Sequence, residues 1–357
     1  MNEISRLIID WYSVHKRDLP WRNTSNPYFI WLSEVILQQT RVVQGLSYYL
    51  RFTERFPTIQ DLARASQEEV LAYWQGLGYY SRARNLHAAA QYVADELDGI
   101  FPPDYEGLLN MKGIGAYTAA AVASFAYHED KAVVDGNVIR VISRIFLVEG
   151  DVRQPKTVHQ IRLHTEALLP AGSSYLFNQG IMELGAMVCL PKNPKCGACP
   201  VALFCMAYQA GRATELPVKS KLKDRKTRHL NYLLVECNGE LLFIRRGPGD
   251  IWEGLFEPVL IESDHNFANV EEFLTGLSGH NIDLPEKMEI VHLWPVEKHV
   301  LTHQLLLVSL LHVRVNQFAS IGEGRWVKAD QVEALPKPVI FSKILNRHLG
   351  AQLPLTF

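Results

Sequence analysis

The sequence predicts an all-α front block joined to an α+β back domain, and three observations carry that reading. Apolar residues recur at spacings of three and four through residues 1–205, which is the period of an amphipathic helix. From residue 229 onward the period changes to short apolar runs, and the first two, His229–Cys237 and Glu240–Arg246, flank Asn238-Gly239, a two-residue hairpin signal. Four of the five cysteines fall between these regimes, at Cys189, Cys196, Cys199 and Cys205. A chain of 357 residues is long enough for two ordinary domains. The expected division is 1–205, a linker over 206–228, and 229–357.

The helices can be taken in order. Ile4, Leu7, Ile8 and Trp11 share one face of a first helix. Pro27 is suited to the first turn of a helix running through Trp31, Val35 and Leu37. Thr58 and Asp61 mark a helix start, and Ser66 with Glu69 has the capping-box spacing. Val138, Val141, Ile142, Ile145 and Phe146 form one apolar helical face. In the linker, Arg212, Lys219, Lys221, Lys223, Arg225, Lys226 and Arg228 crowd around Pro217, either as a solvated tether or as a basic strap for a phosphate backbone. In the back domain further strands are expected near Ile290–Val300, Gln304–Val315 and Arg325–Val327, with a helix over Ser342–His348.

Composition narrows the classes. No apolar run is long enough to span a bilayer, Met1–Asp10 lacks the order of an export signal, and the clustered free thiols suit a reducing compartment, so the bacterial cytosol or an equivalent is expected. The net charge of −2 is unevenly spread: residues 1–228 carry +4 and residues 229–357 carry −6. A basic face on the front block is therefore permitted, as a polyanionic partner would require.

The cysteine spacing C-x6-C-x2-C-x5-C is unlike a disulfide framework, which would leave Cys237 over. It is also unlike the paired C-x2-C of structural zinc sites. Four thiolates holding an iron–sulfur cluster fit better. In Met111-Lys112-Gly113-Ile114-Gly115-Ala116-Tyr117-Thr118, two glycines separate an apolar helix end from an Ala-rich helix, which suits either a plain turn or a backbone clamp on a phosphate chain. Asp135, 20 residues after Gly115, is both a good N-cap and a carboxylate fixed in position. Glu34 shares a helical face with Ile30, Trp31 and Leu37, where burial would raise its pKa and suit it to general-acid work, although pairing with Arg17 or Arg41 is the plainer alternative. Gly76-Leu77-Gly78-Tyr79-Tyr80-Ser81-Arg82 is a glycine turn whose aromatic tips either pack in the core or wedge into a base stack.

Together these segments resemble the helix-hairpin-helix DNA glycosylases with an iron–sulfur cluster, and within them the adenine-specific mismatch glycosylases of the MutY type. Leu19-Pro20-Trp21-Arg22, Trp31 through Thr40, Gly76 through Tyr80, the glycine hairpin, Val134-Asp135-Gly136-Asn137-Val138 and the four cysteines carry the likeness across residues 17–205. The resemblance implies hydrolysis of the N-glycosidic bond of an adenine flipped out from opposite 8-oxoguanine or guanine in double-stranded DNA. It implies Glu34 as the acid, Asp135 as stabiliser of an oxocarbenium-like sugar, and Asn137 and Tyr117 as positioning groups. Arg17, Trp21, Leu37, Gln179 and Met182 would line the base pocket. Gln39, Leu77, Tyr79, Met111, Gly113, Gly115, Thr302 and His303 would meet DNA. The four cysteines would hold one 4Fe–4S cluster, and the protein would be a monomer with no membrane contact.

Two further points follow from the resemblance. Position 117 holds Tyr where the endonuclease III type has a lysine for Schiff-base chemistry, so base removal without efficient strand cleavage is implied. The back domain looks like a Nudix-like 8-oxoguanine recognition module through Ile251-Trp252-Glu253-Gly254-Leu255-Phe256-Glu257-Pro258, but the metal-binding Arg-Glu-x-x-Glu-Glu box is absent. The recognition turn, Phe-Ser-His in the family, is Leu301-Thr302-His303 here, with His299 nearby. The rival readings are a bifunctional glycosylase/lyase of the endonuclease III type and a non-catalytic iron–sulfur DNA-binding protein.

Overall fold

In the computed structural model, residues 1–221, 224–277, 285, 287–318 and 324–349 are described. The chain divides into two compact units, one made of residues 1–64 and 85–222, the other of residues 65–84 and 223–357.

The first unit is helical. It contains α1 (Glu3–His15), α2 (Pro27–Leu37), α3 (Val42–Arg55) and α4 (Ile59–Arg64). The chain leaves for α5 (Gln67–Trp74) and returns along α6 (Ser81–Glu96), then continues through α7 (Tyr105–Leu109), α8 (Ala116–Tyr127), α9 (Gly136–Ile145), α10 (Pro155–Leu168), α11 (Ser174–Met187) and the short α12 (Met206–Gln209). The caps are those the sequence announces. Asn26 accepts the Tyr28 N–H just before Pro27 opens α2, and Thr58 and Asp61 cap each other's backbone at the start of α4. Ile4 and Ile8 of α1, Val138, Val141, Ile142 and Ile145 of α9, and Phe177, Ile181 and Leu184 of α11 merge into one buried cluster. The approach of α11 to α9 depends on a missing side chain. A Cβ at Gly185 would lie 2.6 Å from Cβ of Asn137, closer than carbon atoms pack.

The second unit is a mixed sheet with helices. Its strands are β1 (Lys226–Cys237), β2 (Glu240–Arg245), β3 (Phe256–Glu257), β4 (Val259–Ser263), β5 (Met288–Val300), β6 (Gln304–Val315) and β7 (Arg325–Lys328), joined by α13 (Val270–Leu277) and α14 (Val339–Leu349). The main order is β3-β2-β1-β6-β5, with β4 on β1 and β7 on β2. β1 and β6 run parallel from Lys226↔Gln304 to Cys237↔Val315, while β5 and β6 form a long antiparallel hairpin. Asn238 and Gly239 both take positive φ, 51° and 78°, so the β1–β2 connection is the tight turn the dipeptide predicts. The sequence reading missed β4 and α13, while β3 lies inside Ile251–Pro258, the stretch matched by resemblance to an early strand region. β4 is short, with no alternation long enough to register.

The segment carrying α5 belongs to this unit through polar contacts. Glu68 pairs with Arg325 at 2.6 Å, Arg84 reaches Glu253 at 3.1 Å, and the Gln75 carbonyl accepts the Lys337 N–H at 3.3 Å. The fully buried Lys337 ammonium donates to the carbonyls of Val332, Glu333 and Leu335.

Candidate active site and cluster site

A cavity of about 150 Å³ opens within the helical unit among α2, α8, α9 and α11 and the segment before α2. Glu34, Tyr117, Asp135 and Asn137 all line it, as do Arg17, Trp21, Leu37, Gln179 and Met182. Residues from five separate stretches of sequence are thereby brought to one place.

Glu34 sits on the buried face of α2, only 6% exposed, with apolar Ile30 and Leu37 beside it in the wall. Burial pushes its carboxyl up to about 7, with nearby Asp135 adding to the shift, while the Tyr117 hydroxyl and Arg22 oppose it. The Tyr117 hydroxyl donates to Glu34 Oε2. Tyr117 itself is held well above its ordinary value by burial and by the two carboxylates, so it remains a donor.

Asp135 lives in a different environment. It is the N-cap of α9, and its Oδ1 accepts the N–H groups of Asn137 at 2.8 Å and Val138 at 2.7 Å. Its Oδ2 accepts from the Asn137 amide at 2.8 Å. Burial raises its carboxyl above the ordinary value, and these three donors, with Arg140 beyond, work against that shift and favour the anion. Asn137 is held in turn, its carbonyl accepting from Arg140 at 2.8 Å. The cavity therefore presents one carboxyl group with a single hydroxyl donor and a second one wrapped in N–H donors. Burial dominates at Glu34, whereas at Asp135 the N–H donors work for the anion against burial.

Glu183, on α11, is the feature the sequence reading missed. It is 1% exposed and is held by two guanidinium forks, from Arg17 at 2.7 and 2.6 Å and from Arg22 at 3.0 and 2.7 Å. Burial raises its pKa, but the two arginines outweigh that and bring it down to about 2. Four residues before Glu183, Gln179 accepts from the Tyr12 hydroxyl, and Arg22 lies over the Tyr12 ring. The only sequence signal for Glu183 was that it is the single charged residue of its helix, one turn after Gln179. Replacing Glu183 by Gln leaves two guanidinium groups without their anion, and thermal or urea unfolding should show a loss of roughly 2–4 kcal/mol. An unchanged melting point would mean that the pair contributes nothing.

The residues expected to meet DNA divide between the units. In the helical unit Gly113 (φ +80°) and Gly115 form an exposed turn between α7 and α8, with Gly115 as N-cap and open space beside it. Gln39 is exposed just after α2, also at positive φ. The Met111 side chain is 2% exposed and points inward, so any contact at that position runs through the backbone. In the second unit Leu77 is likewise buried at 8%, whereas Tyr79 is 45% exposed, with φ of 48°. Thr302 and His303 form the exposed turn between β5 and β6. The hydroxyls of Tyr79 and Thr302 lie 2.6 Å apart, bringing together two predicted residues that are 223 positions apart. His299 packs near Trp252 instead, 5.9 Å between ring centres.

The four cysteines of the motif line a second, small cavity of about 20 Å³ in the helical unit, together with Arg144, Val188, Lys195 and Tyr208. Hydrogen-bond donors face the sulfurs. Arg144 Nη1 is 3.2 Å from Cys189 Sγ, the Val201 N–H is directed at Cys199, and the N–H groups of Tyr208 and Ala207 are directed at Cys205. Among the described residues no group of three or more His, Cys, Asp or Glu converges on a single metal ion. Burial raises the Cys196, Cys199 and Cys205 thiols above their ordinary values, so holding them as thiolates needs a positively charged centre or metal, and the four sulfurs with the N–H donors facing them fit a sulfur-ligated group of that kind.

Residues 32–170 match the HhH-GPD superfamily base excision DNA repair protein family, and residues 231–347 match the NUDIX domain family. An adenine DNA glycosylase of Buchnera aphidicola subsp. Schizaphis graminum is 31% identical over 346 residues, covering 96% of this chain and 97% of the relative. The adenine DNA glycosylase of Mus musculus is 42% identical over 229 residues, covering 61% of this chain and 44% of the relative. Among solved structures, a thermostable thymine-DNA glycosylase superposes with a TM-score of 0.52 at 28% identity, over 58% of this chain and 95% of that one. A trapped endonuclease III–DNA covalent intermediate superposes with a TM-score of 0.51 at 20% identity, over the same 58% of this chain and 95% of that one, a likeness of fold.

Proposed function

The chain belongs to the adenine DNA glycosylases of base excision repair, and we propose that it removes adenine from opposite 8-oxoguanine, and more weakly from opposite guanine, by acid-assisted hydrolysis at the Glu34–Asp135 pair. The observation that carries this reading is the contrast between the two carboxyl groups in one cavity, one poised near 7 by burial and the other fixed in a nest of N–H donors.

Adenine turned out of the duplex enters the cavity between Trp21, Leu37 and Met182, with the Gln179 and Arg22–Glu183 polar edge available to its hydrogen-bonding rim. Glu34 donates its proton to a ring nitrogen, so the base departs neutral as the bond to C1′ breaks. Asp135 stabilises the positive charge that develops on the sugar, and water completes the hydrolysis. Tyr117 orients Glu34, and Asn137 orients Asp135. The glycine hairpin at Gly113 and Gly115 grips the phosphate backbone through N–H groups at the start of α8. Gln39 and the Tyr79–Thr302 pair serve the strand carrying the opposite base, and the Nudix-like region acts as the recognition module of a monomer. Cys189, Cys196, Cys199 and Cys205 hold one 4Fe–4S cluster, which when bound supplies a rigid anionic anchor for the loop after α11.

The test uses a labelled duplex with one adenine opposite 8-oxoguanine. Strand cleavage that appears only after alkali is the expected result, because position 117 offers a hydroxyl and no amine for a Schiff base. Cleavage without alkali would overturn the monofunctional assignment. Bound DNA with no abasic product would overturn the catalytic one.

A further inference from the structure

Arg144 lies in the last turn of α9 and is 1% exposed. Its guanidinium donates to the carbonyls of Leu216 at 3.0 Å, Leu190 at 2.8 Å and Pro191 at 3.3 Å, and to Cys189 Sγ at 3.2 Å. Buried Arg246 has carboxylate partners in Glu257 and Asp250, whereas buried Arg140, one turn before Arg144 on α9, also bonds carbonyl oxygens but feels the nearby Asp135 carboxylate. Among the described residues no carboxylate lies within ion-pair distance of Arg144. Carbonyls satisfy its N–H groups but do not neutralise its charge, and a buried cation without an anion is costly. Among the described residues, the side chains it faces that can carry compensating negative charge are the four cysteines, whose cavity Arg144 helps to line.

We propose that Arg144 is the resident counterion of the iron–sulfur cluster, setting how tightly the cluster is held and how easily it is reduced. The inference rests on the cluster reading above. An anion of four thiolates and an iron–sulfur core placed against this guanidinium satisfies both charges at once. The same side chain ties the Cys189–Pro191 segment and Leu216 to α9, so Arg144 is a positioning residue for the cluster and touches neither the carboxyl pair nor the base pocket.

The test compares the full-length holoprotein with its Arg144→Lys and Arg144→Gln variants. Three quantities are read: iron and sulfide content, the rate of bleaching near 400 nm under a chelator, and the cluster's reduction potential by protein-film voltammetry. Arg144→Gln should bleach about 10- to 100-fold faster than wild type, the usual scale for losing a group that supports a metal ligand. Its potential should move to more negative values, because a nearby cation favours the reduced, more negative cluster. Arg144→Lys keeps the charge and should stay close to wild type in potential. Glutamine behaving as wild type in both readouts, or lysine as impaired as glutamine, would overturn the counterion role. If Arg144→Gln cannot be obtained loaded, cluster content decides: a loaded lysine variant supports the proposal and an empty one overturns it. A wild-type protein free of iron and sulfide would overturn the cluster reading itself, and the counterion with it.

Discussion

Replacing Glu34 by glutamine is expected to lower single-turnover adenine excision by about 10³-fold or more while leaving the folded protein more stable above neutral pH. The rate loss follows from removing the proton donor, since a positioned general acid supplies roughly 10²- to 10⁴-fold. The stability gain follows from linkage. Glu34 titrates at about 7 in the folded chain against an ordinary 4.5. Below pH 4.5 both states carry the proton, and between 4.5 and 7 only the folded state keeps it. Stability therefore falls as pH rises through that window, and above it the ionised, buried carboxyl costs roughly 3 kcal/mol. Glutamine fills the site without a charge to bury, so melting at pH 8 should shift upward. A variant that is inactive and also markedly destabilised would show that Glu34 acts by holding the structure together.

Asp135→Asn should separate charge from capping. Asparagine is as good an N-cap as aspartate, and the backbone N–H groups of Asn137 and Val138 can still be accepted by its carbonyl oxygen. Stability is expected to fall by about 1–2 kcal/mol, because the cap survives but the new amide faces the Asn137 donor that Oδ2 accepts from. The negative charge facing the sugar disappears, however, and excision should fall by about 10³-fold, the scale of losing one preorganised electrostatic partner in a dry site. Single-turnover excision beside an unfolding curve checks both halves. Retention of most of the rate would assign Asp135 to the cap alone.

How far these features were legible depends on how local they are. The Asp135 cap, the opening of α2 at Pro27, the hairpin at Asn238-Gly239 and the cysteine spacing are each written in a few consecutive residues, and short-range sterics and hydrogen bonding decide them. The burial of Glu34 could be read because Ile30, Trp31 and Leu37 share its helical face. Glu183 could not be assigned, because its partners Arg17 and Arg22 lie 166 and 161 residues away and an ion pair that distant leaves no periodic mark. The parallel pairing of β1 with β6 was hidden for the same reason, since Lys226 faces Gln304 across a long stretch of chain. Met111 and Leu77 show the opposite limit. The glycine turn left open whether Leu77 packs inward or wedges outward, and its side chain, like that of Met111 at the apolar helix end, is buried.

The central claim is that a buried, protonated Glu34 drives base release, and the pH dependence of single-turnover excision tests it most directly. With enzyme in excess over a duplex carrying adenine opposite 8-oxoguanine, the rate should fall with a one-proton limb as pH rises through about 7, where Glu34 loses its proton. A rate that holds constant to pH 9, with the protein folded and DNA bound throughout, would contradict the account.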